Sequence, residues 1–260
     1  MSTPLSPQAV LLFDIDGVIR DVSGSYRRAI VETVHHFGGK RPDPAAIDAL
    51  KSEGGWNNDW EASLELLRRA GHTPLPAFEA LVAVFETFYF GGDPNGDPSR
   101  WEGFIGDEPL LVQPPFFAAL SAANLAFGFV SGAEPPSCRY VLESRLGLKD
   151  PPLIAMGDAP DKPDPTGLLR LAAHLAGGAL GTSAPPVAYL GDTVADVLTV
   201  QRARAQCPDQ RFLSLAVAPP HLHGQPEARA TYEAKLLEVG ADVVLPAAGT
   251  LQQHLEPLLA

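Results

Sequence analysis

Asp14 and Asp16 stand two residues apart where a short apolar run, Leu11–Phe13, gives way to polar chain. Neighbouring carboxylates repel one another, so a pair of this kind calls for a cation. Three further segments place polar groups at or after the end of an apolar run. Ser131-Gly132 follows Leu125–Val130, Lys162 sits in Asp161-Lys-Pro-Asp164, and Val187–Leu190 runs into Gly191-Asp192-Thr-Val-Ala-Asp196. One acidic strand end is weak evidence, whereas several in one chain are hard to treat as chance. Carboxylates, a lysine and a hydroxyl brought to one edge suit a hard cation and an anionic ligand. Cysteine and histidine offer no rival site. Cys138 and Cys207 are the only cysteines, and His35-His36 and His221-Leu-His223 lack a set of additional ligands. Asp93–Asp97 fails as a calcium loop, because proline stands where glycine is needed and Phe104 where the bidentate glutamate belongs.

The elements that must position these groups follow from periodicity. Leu11–Asp16 reads as a buried strand ending in a loop at Gly17. From Tyr26 the apolar spacing becomes helical, and Asp43-Pro44 is an N-cap followed by proline at the first helical position. Glu61–Arg69 and Pro76–Phe88 are also helical, so residues 23–90 contain several helices and no convincing strand. After an irregular stretch from Phe90 to Pro109 the chain alternates. Strands are predicted at Leu125–Val130, Leu153–Met156, Val187–Leu190, Phe212–Val217 and Asp242–Leu245. Helices are predicted at Pro114–Ala123, Pro135–Leu146, Pro165–Ala176, Thr193–Arg204 and Glu227–Val239. Such alternation implies an α/β fold, a Rossmann-like parallel sheet flanked by helices, with an all-helical insert after its first strand. The expected division is 1–22 with 108–260 as the α/β core and 23–107 as the helical cap with its linkers.

Composition narrows the classes. The 260 residues are 45% hydrophobic and carry a formal charge of −12, enough for a sizeable core and against polyanionic partners. No nucleic-acid or membrane partner is expected. The N-terminal residues lack a secretory pattern and no apolar run approaches about 20 residues, so a soluble cytoplasmic protein is the expectation.

Taken in order, the polar segments resemble those of the haloacid dehalogenase-like (HAD) superfamily. The resemblance is to its phosphatase branch with a helical C1-type cap, subfamily IA-like. Asp14-Ile-Asp-Gly-Val-Ile-Arg-Asp21 is similar to the DxDGVxxD nucleophile segment, and Ser131 to the Ser/Thr that ends the second family strand. Lys162-Pro163 is similar to the lysine element, and Gly191-Asp192 with Asp196 to the GDxxxD metal segment. The resemblance covers nearly the whole chain. It implies that Asp14 attacks phosphorus and that Asp16 acts as general acid and then base. It further implies that Ser131, Gly132 and Lys162 hold the phosphoryl oxygens, with Mg²⁺ bound by Asp14, the Asp16 carbonyl and Asp192. Asp196 is open between direct ligand, water-mediated ligand and orienter of Lys162. Dehalogenase members lack an acid at the Asp16 position, so phosphoryl transfer is the expected chemistry.

The implied activity is Mg²⁺-dependent hydrolysis of a small phosphorylated metabolite. The alternatives are a sugar phosphomutase of the β-phosphoglucomutase type and a non-catalytic metabolite-binding protein. Substrate choice is expected in the insert, where Glu53-Gly-Gly-Trp-Asn-Asn-Asp-Trp60 is the most unusual stretch. Trp56, Asn57, Asn58 and Trp60 either contact a substrate or anchor the next helix, and Arg27 either grips a second anionic group or is solvated. Oligomeric state is not legible.

Overall fold

The computed structural model describes residues 6–53, 56 and 58–255. Its residues form two compact units, Met1–Asp21 with Leu110–Ala260, and Val22–Pro109. The second boundary falls at Pro109/Leu110, two residues beyond the expected one. Leu110 already pairs with Arg20, and the Leu111 N–H donates to the Ile19 carbonyl at 2.9 Å.

The first unit is a six-stranded parallel sheet. β1 (Ala9–Phe13), β2 (Leu125–Val130), β3 (Leu153–Ile154), β4 (Val187–Gly191), β5 (Phe212–Val217) and β6 (Val243–Leu245) run in the order β3-β2-β1-β4-β5-β6. The order reverses direction at β1, and a ligand crevice of an open α/β sheet opens at such a switch, outside the carboxyl ends of the strands. Every residue of β1 is buried. Ala9, Leu11 and Phe13 enter one core with Phe117, Leu120 and Val141, while Val10 and Leu12 enter another with Leu168, Leu171 and Val200. Two-sided burial explains why this strand reads as a continuous apolar run. The covering helices are α5 (Pro114–Ala122), α6 (Pro135–Arg139), α7 (Thr166–Ala176), α8 (Val194–Gln206) and α9 (Pro226–Val239), which follow the four helices of the second unit in the chain.

Two elements depart from expectation. β3 stops at Ile154, because Asp158 turns back to accept from the Ala155 N–H at 2.9 Å and the Met156 N–H is taken by the Ala133 carbonyl. The helix expected over Pro135–Leu146 is α-helical only to Arg139 and continues as a π-helical turn over Tyr140–Arg145.

The second unit is helical: α1 (Tyr26–His36), α2 (Pro44–Ser52), α3 (Asp59–Arg69) and α4 (Phe78–Tyr89). Asp43 caps α2 by accepting from the Ala46 N–H, with Pro44 at the first position. Buried faces of α1 (Ala29, Ile30, Val34), α3 (Ala62, Leu67) and α4 (Leu81, Phe85) supply its core, and Tyr26 stacks on Tyr89 at 4.4 Å between ring centroids. No helix among the described residues is long and apolar enough to cross a membrane.

Candidate active site

Asp14 extends β1 by one residue, its N–H donating to the Leu190 carbonyl of the neighbouring β4. Gly191 ends β4, and Asp192 follows it. The two aspartates thus leave adjacent parallel strands at the same edge. Oxygens of Asp14, Asp192 and Asp196 lie within 4.8 Å of one another, and all three residues are buried. Two glycines allow the approach. A Cβ on Gly17, whose φ is +74°, would lie 1.9 Å from Asp192 Oδ2, and one on Gly191 would lie 2.3 Å from Asp196 Cβ.

Lys162 comes from the loop after β3, and its Nζ lies 2.9 Å from Asp14 Oδ2 and 2.6 Å from Asp196 Oδ1. Asp196 sits in the first turn of α8, where Thr193 and Asp196 form a capping box. Its Oδ1 meets Lys162 and the Tyr189 hydroxyl, and its Oδ2 meets the Thr193 N–H and hydroxyl. Both of its oxygens are thus met by groups of this chain, Lys162 among them. The Asp192 carboxylate, in contrast, accepts no hydrogen bond from the described residues; only its backbone carbonyl is met, by the Tyr232 hydroxyl at 3.1 Å.

The electrostatics express the same crowding. Burial pushes the Asp14 carboxyl up to about 7, against the pull of Lys162 and with the repulsion of Asp196 and Asp16. Asp192 is raised well above the carboxylate range by burial and then by Asp196 and Asp14. For Asp196 burial is outweighed by Lys162 and its hydrogen bonds, which hold it below its ordinary value. Burial opposes the charge on Lys162, but Asp14 and Asp196 prevail and raise it. Two buried carboxylates that resist ionisation, one of them without a donor among the described residues, fit a hard divalent cation with oxygen ligands.

Asp16 is a quarter exposed, and its Oδ1 accepts from Arg20 Nε at 2.7 Å. The Asp16 carbonyl accepts no backbone hydrogen bond among the described residues, which leaves it available as a further oxygen donor. Ser131 follows β2, next to β1, and its Oγ accepts from the Ala133 N–H at 3.1 Å. Gly132 is exposed, and a Cβ there would meet nothing within 4 Å.

The substrate candidates of the helical unit have partners of their own. Asn58 is the N-cap of α3, its side chain accepting from the Trp60 and Glu61 N–H groups. Trp56 Nε1 donates to Glu53, and Trp60 meets Phe85 edge-to-face at 6.5 Å. Asn58 and Trp60 thus engage α3 and α4 of the helical unit. Arg27 is half-buried on α1, and Asn57 lies outside the described residues. Sequence reasoning missed Tyr189, whose hydroxyl bridges Lys162, Asp196 and the Val130 carbonyl, and Tyr232. A tyrosine inside an otherwise apolar strand was the available signal, since its buried hydroxyl needs a partner.

Residues 9–204 match the family described as haloacid dehalogenase-like hydrolase. The imidazoleglycerol-phosphate dehydratase of Phytophthora nicotianae is 34% identical over 255 residues, 95% of this chain; the chain spans about half the length of that curated relative, 52%. Among solved structures, the phosphatase Tt82 from Thermococcus thioreducens superposes with a TM-score of 0.61 at 23% identity, over 79% of this chain and 92% of that one. An HAD family hydrolase from Deinococcus radiodurans R1, with bound phosphate and sodium, gives 0.64 at 19% identity over 98% and 97%.

Proposed function

Since the chain belongs to the haloacid dehalogenase-like hydrolases, we propose that it is a Mg²⁺-dependent phosphatase acting on a small phosphorylated metabolite through an aspartyl-phosphate on Asp14. The observation that carries this reading is Lys162 Nζ placed 2.9 Å from Asp14 Oδ2, beside a buried cluster of Asp14, Asp192 and Asp196 oxygens within 4.8 Å.

A phosphate monoester is a dianion, and a second anion about 4 Å away at an effective dielectric near 20 costs about 4 kcal/mol per charge pair. Lys162 offsets part of that repulsion. Asp14, the Asp16 carbonyl and Asp192 are the residues proposed to hold Mg²⁺, which supplies the remaining positive charge when bound. Asp14 attacks phosphorus while Asp16 gives its proton to the departing alkoxide. Asp16 then takes a proton from the water that hydrolyses the acyl phosphate, and Asp14 is regenerated. Ser131 Oγ and the Gly132 N–H receive the equatorial oxygens of the transferring group. Asp196 and Tyr189 hold Lys162 in place. A net charge of −12 speaks for a small-molecule partner over a nucleic acid.

The test is phosphate release from a panel of monoesters by wild type and Asp14→Asn, with and without Mg²⁺. Sugar phosphates belong in the panel, and so does imidazoleglycerol phosphate, the compound in the name of the 34%-identical relative. Release by wild type with Mg²⁺ alone supports the proposal, and equal release by Asp14→Asn overturns it. Conversion of a sugar phosphate to its positional isomer without free phosphate would make the enzyme a mutase.

A further inference from the structure

Arg20 is the largest fully buried side chain among the described residues. Burying a guanidinium is costly unless its donors are matched, and a quarter-exposed carboxylate repays little of that cost. The match is nevertheless specific. Nε donates to Asp16 Oδ1 at 2.7 Å, Nη2 donates to Ser137 Oγ at 2.6 Å, and Nη1 reaches the Ser137 carbonyl at 3.5 Å. Ser137 lies on α6 and is itself fully buried.

The backbone brings Arg20 to Asp16 by a turn. The Ile15 carbonyl accepts from the Val18, Ile19 and Arg20 N–H groups, and the Gly17 N–H returns to the Arg20 carbonyl. On its other side Arg20 pairs antiparallel with Leu110. The Arg20 backbone is thus held by the turn and the Leu110 bridge and its guanidinium by Asp16 and Ser137, while the carboxylate it grips remains a quarter exposed. A planar fork anchored this way restrains the carboxylate in a way that a lysine point charge does not.

We infer that Arg20 is a positioning residue for the acid–base carboxylate: by holding Asp16 Oδ1 it directs Oδ2 toward the leaving-group oxygen, with Ser137 as its own anchor. The inference rests on Asp16 acting as the proton donor in the proposed phosphatase reaction. The proton passes from Oδ2 to the alkoxide as the P–O bond breaks, and the resulting carboxylate stays on Arg20 until it accepts a proton from water. An apolar residue at position 20 would fill the same interior space at less desolvation cost, so a packing requirement alone does not call for the charge.

The experiment exploits leaving-group basicity. kcat/KM reports the steps up to departure of the alcohol, and a basic leaving group needs its proton more than an acidic one. Phenyl phosphate and 4-nitrophenyl phosphate with Mg²⁺ are the probes. Arg20→Met should lower kcat/KM for phenyl phosphate at least tenfold more than for 4-nitrophenyl phosphate, with Arg20→Lys between it and wild type. Ser137→Ala should shift the ratio in the same direction by less, which covers the case in which Arg20→Met does not fold. In an Asp16→Asn background Arg20→Met should add nothing further, since its effect runs through the missing acid. Equal losses on both probes, or full additivity with Asp16→Asn, would overturn the inference and leave Arg20 a structural residue. Absence of Mg²⁺-dependent turnover by wild type on both probes would instead count against the phosphatase reading, and Arg20 would fall with it.

Discussion

Gly17 and Asp192 stand so close that a single Cβ on the glycine would lie 1.9 Å from Asp192 Oδ2. The glycine's φ of +74° is also one that side chains rarely adopt. Gly17→Ala is therefore expected to displace the Asp192 carboxylate, weaken Mg²⁺ binding at least tenfold and destabilise the protein by about 1–3 kcal/mol. Calorimetric Mg²⁺ titration and chemical denaturation check both. Gly132→Ala is the control for sterics: a Cβ there meets nothing within 4 Å, so its stability should match wild type.

Mg²⁺ stabilisation should depend on pH with a definite sign. The folded-state pKa of Asp14 is raised from 3.8 to about 7, and that of Asp192 is shifted the same way. Their contribution to stability is thus fully present below the unfolded value and is lost as pH rises through the folded one. Mg²⁺ requires the ionised carboxylates and competes with those protons. The rise in Tm caused by MgCl₂ is expected to be large near pH 8 and to shrink toward zero near pH 5.5. An increment independent of pH would contradict a carboxylate site.

Lys162→Met leaves Asp14 and Asp196 buried without their shared counter-charge. A loss of about 3–5 kcal/mol is expected at pH 8, as for removal of one partner of a buried ion pair. The loss should be smaller at pH 5.5, where Asp14 is protonated in the folded state. Equilibrium urea unfolding at the two pH values measures the difference, and an equal loss at both would place the lysine's role in packing alone.

Asn58→Ala removes the side chain that accepts from the Trp60 and Glu61 N–H groups at the start of α3. The expected cost is about 1 kcal/mol of stability, recovered by Asn58→Asp or Asn58→Ser, which also cap. Thermal melts of the three variants separate capping from substrate contact: a cap role follows this pattern, whereas a substrate role would show as a change in KM with no change in Tm.

The strand ends that build the site were readable because each is announced locally, by an apolar run that stops in a polar group. Asp14, Ser131 and Asp192 all have this form, and parallel strands bring such ends to one edge without further information. The partners of these groups were not readable. Tyr189 meets Lys162 across 27 positions and Arg20 meets Ser137 across 117, so only the folded chain brings them together. Short-range competition also hid some structure. Asp158 caps Ala155 and ends β3 after Ile154, although Leu153–Met156 reads as a longer apolar strand. In the insert, an asparagine suited to a ligand is equally suited to a helix start, and the residue type alone does not choose between them.

The hydrogen bond from the Leu111 N–H to the Ile19 carbonyl, with the Arg20–Leu110 bridge beside it, brings the chain back to its point of departure after residues 22–109. That whole segment is in effect an excursion whose two ends are already tied within the α/β unit. Closure entropy grows only with the logarithm of loop length, so the size of what hangs between those ends is nearly immaterial to the sheet. Modules of different length and sequence can be grafted there without re-registering a strand.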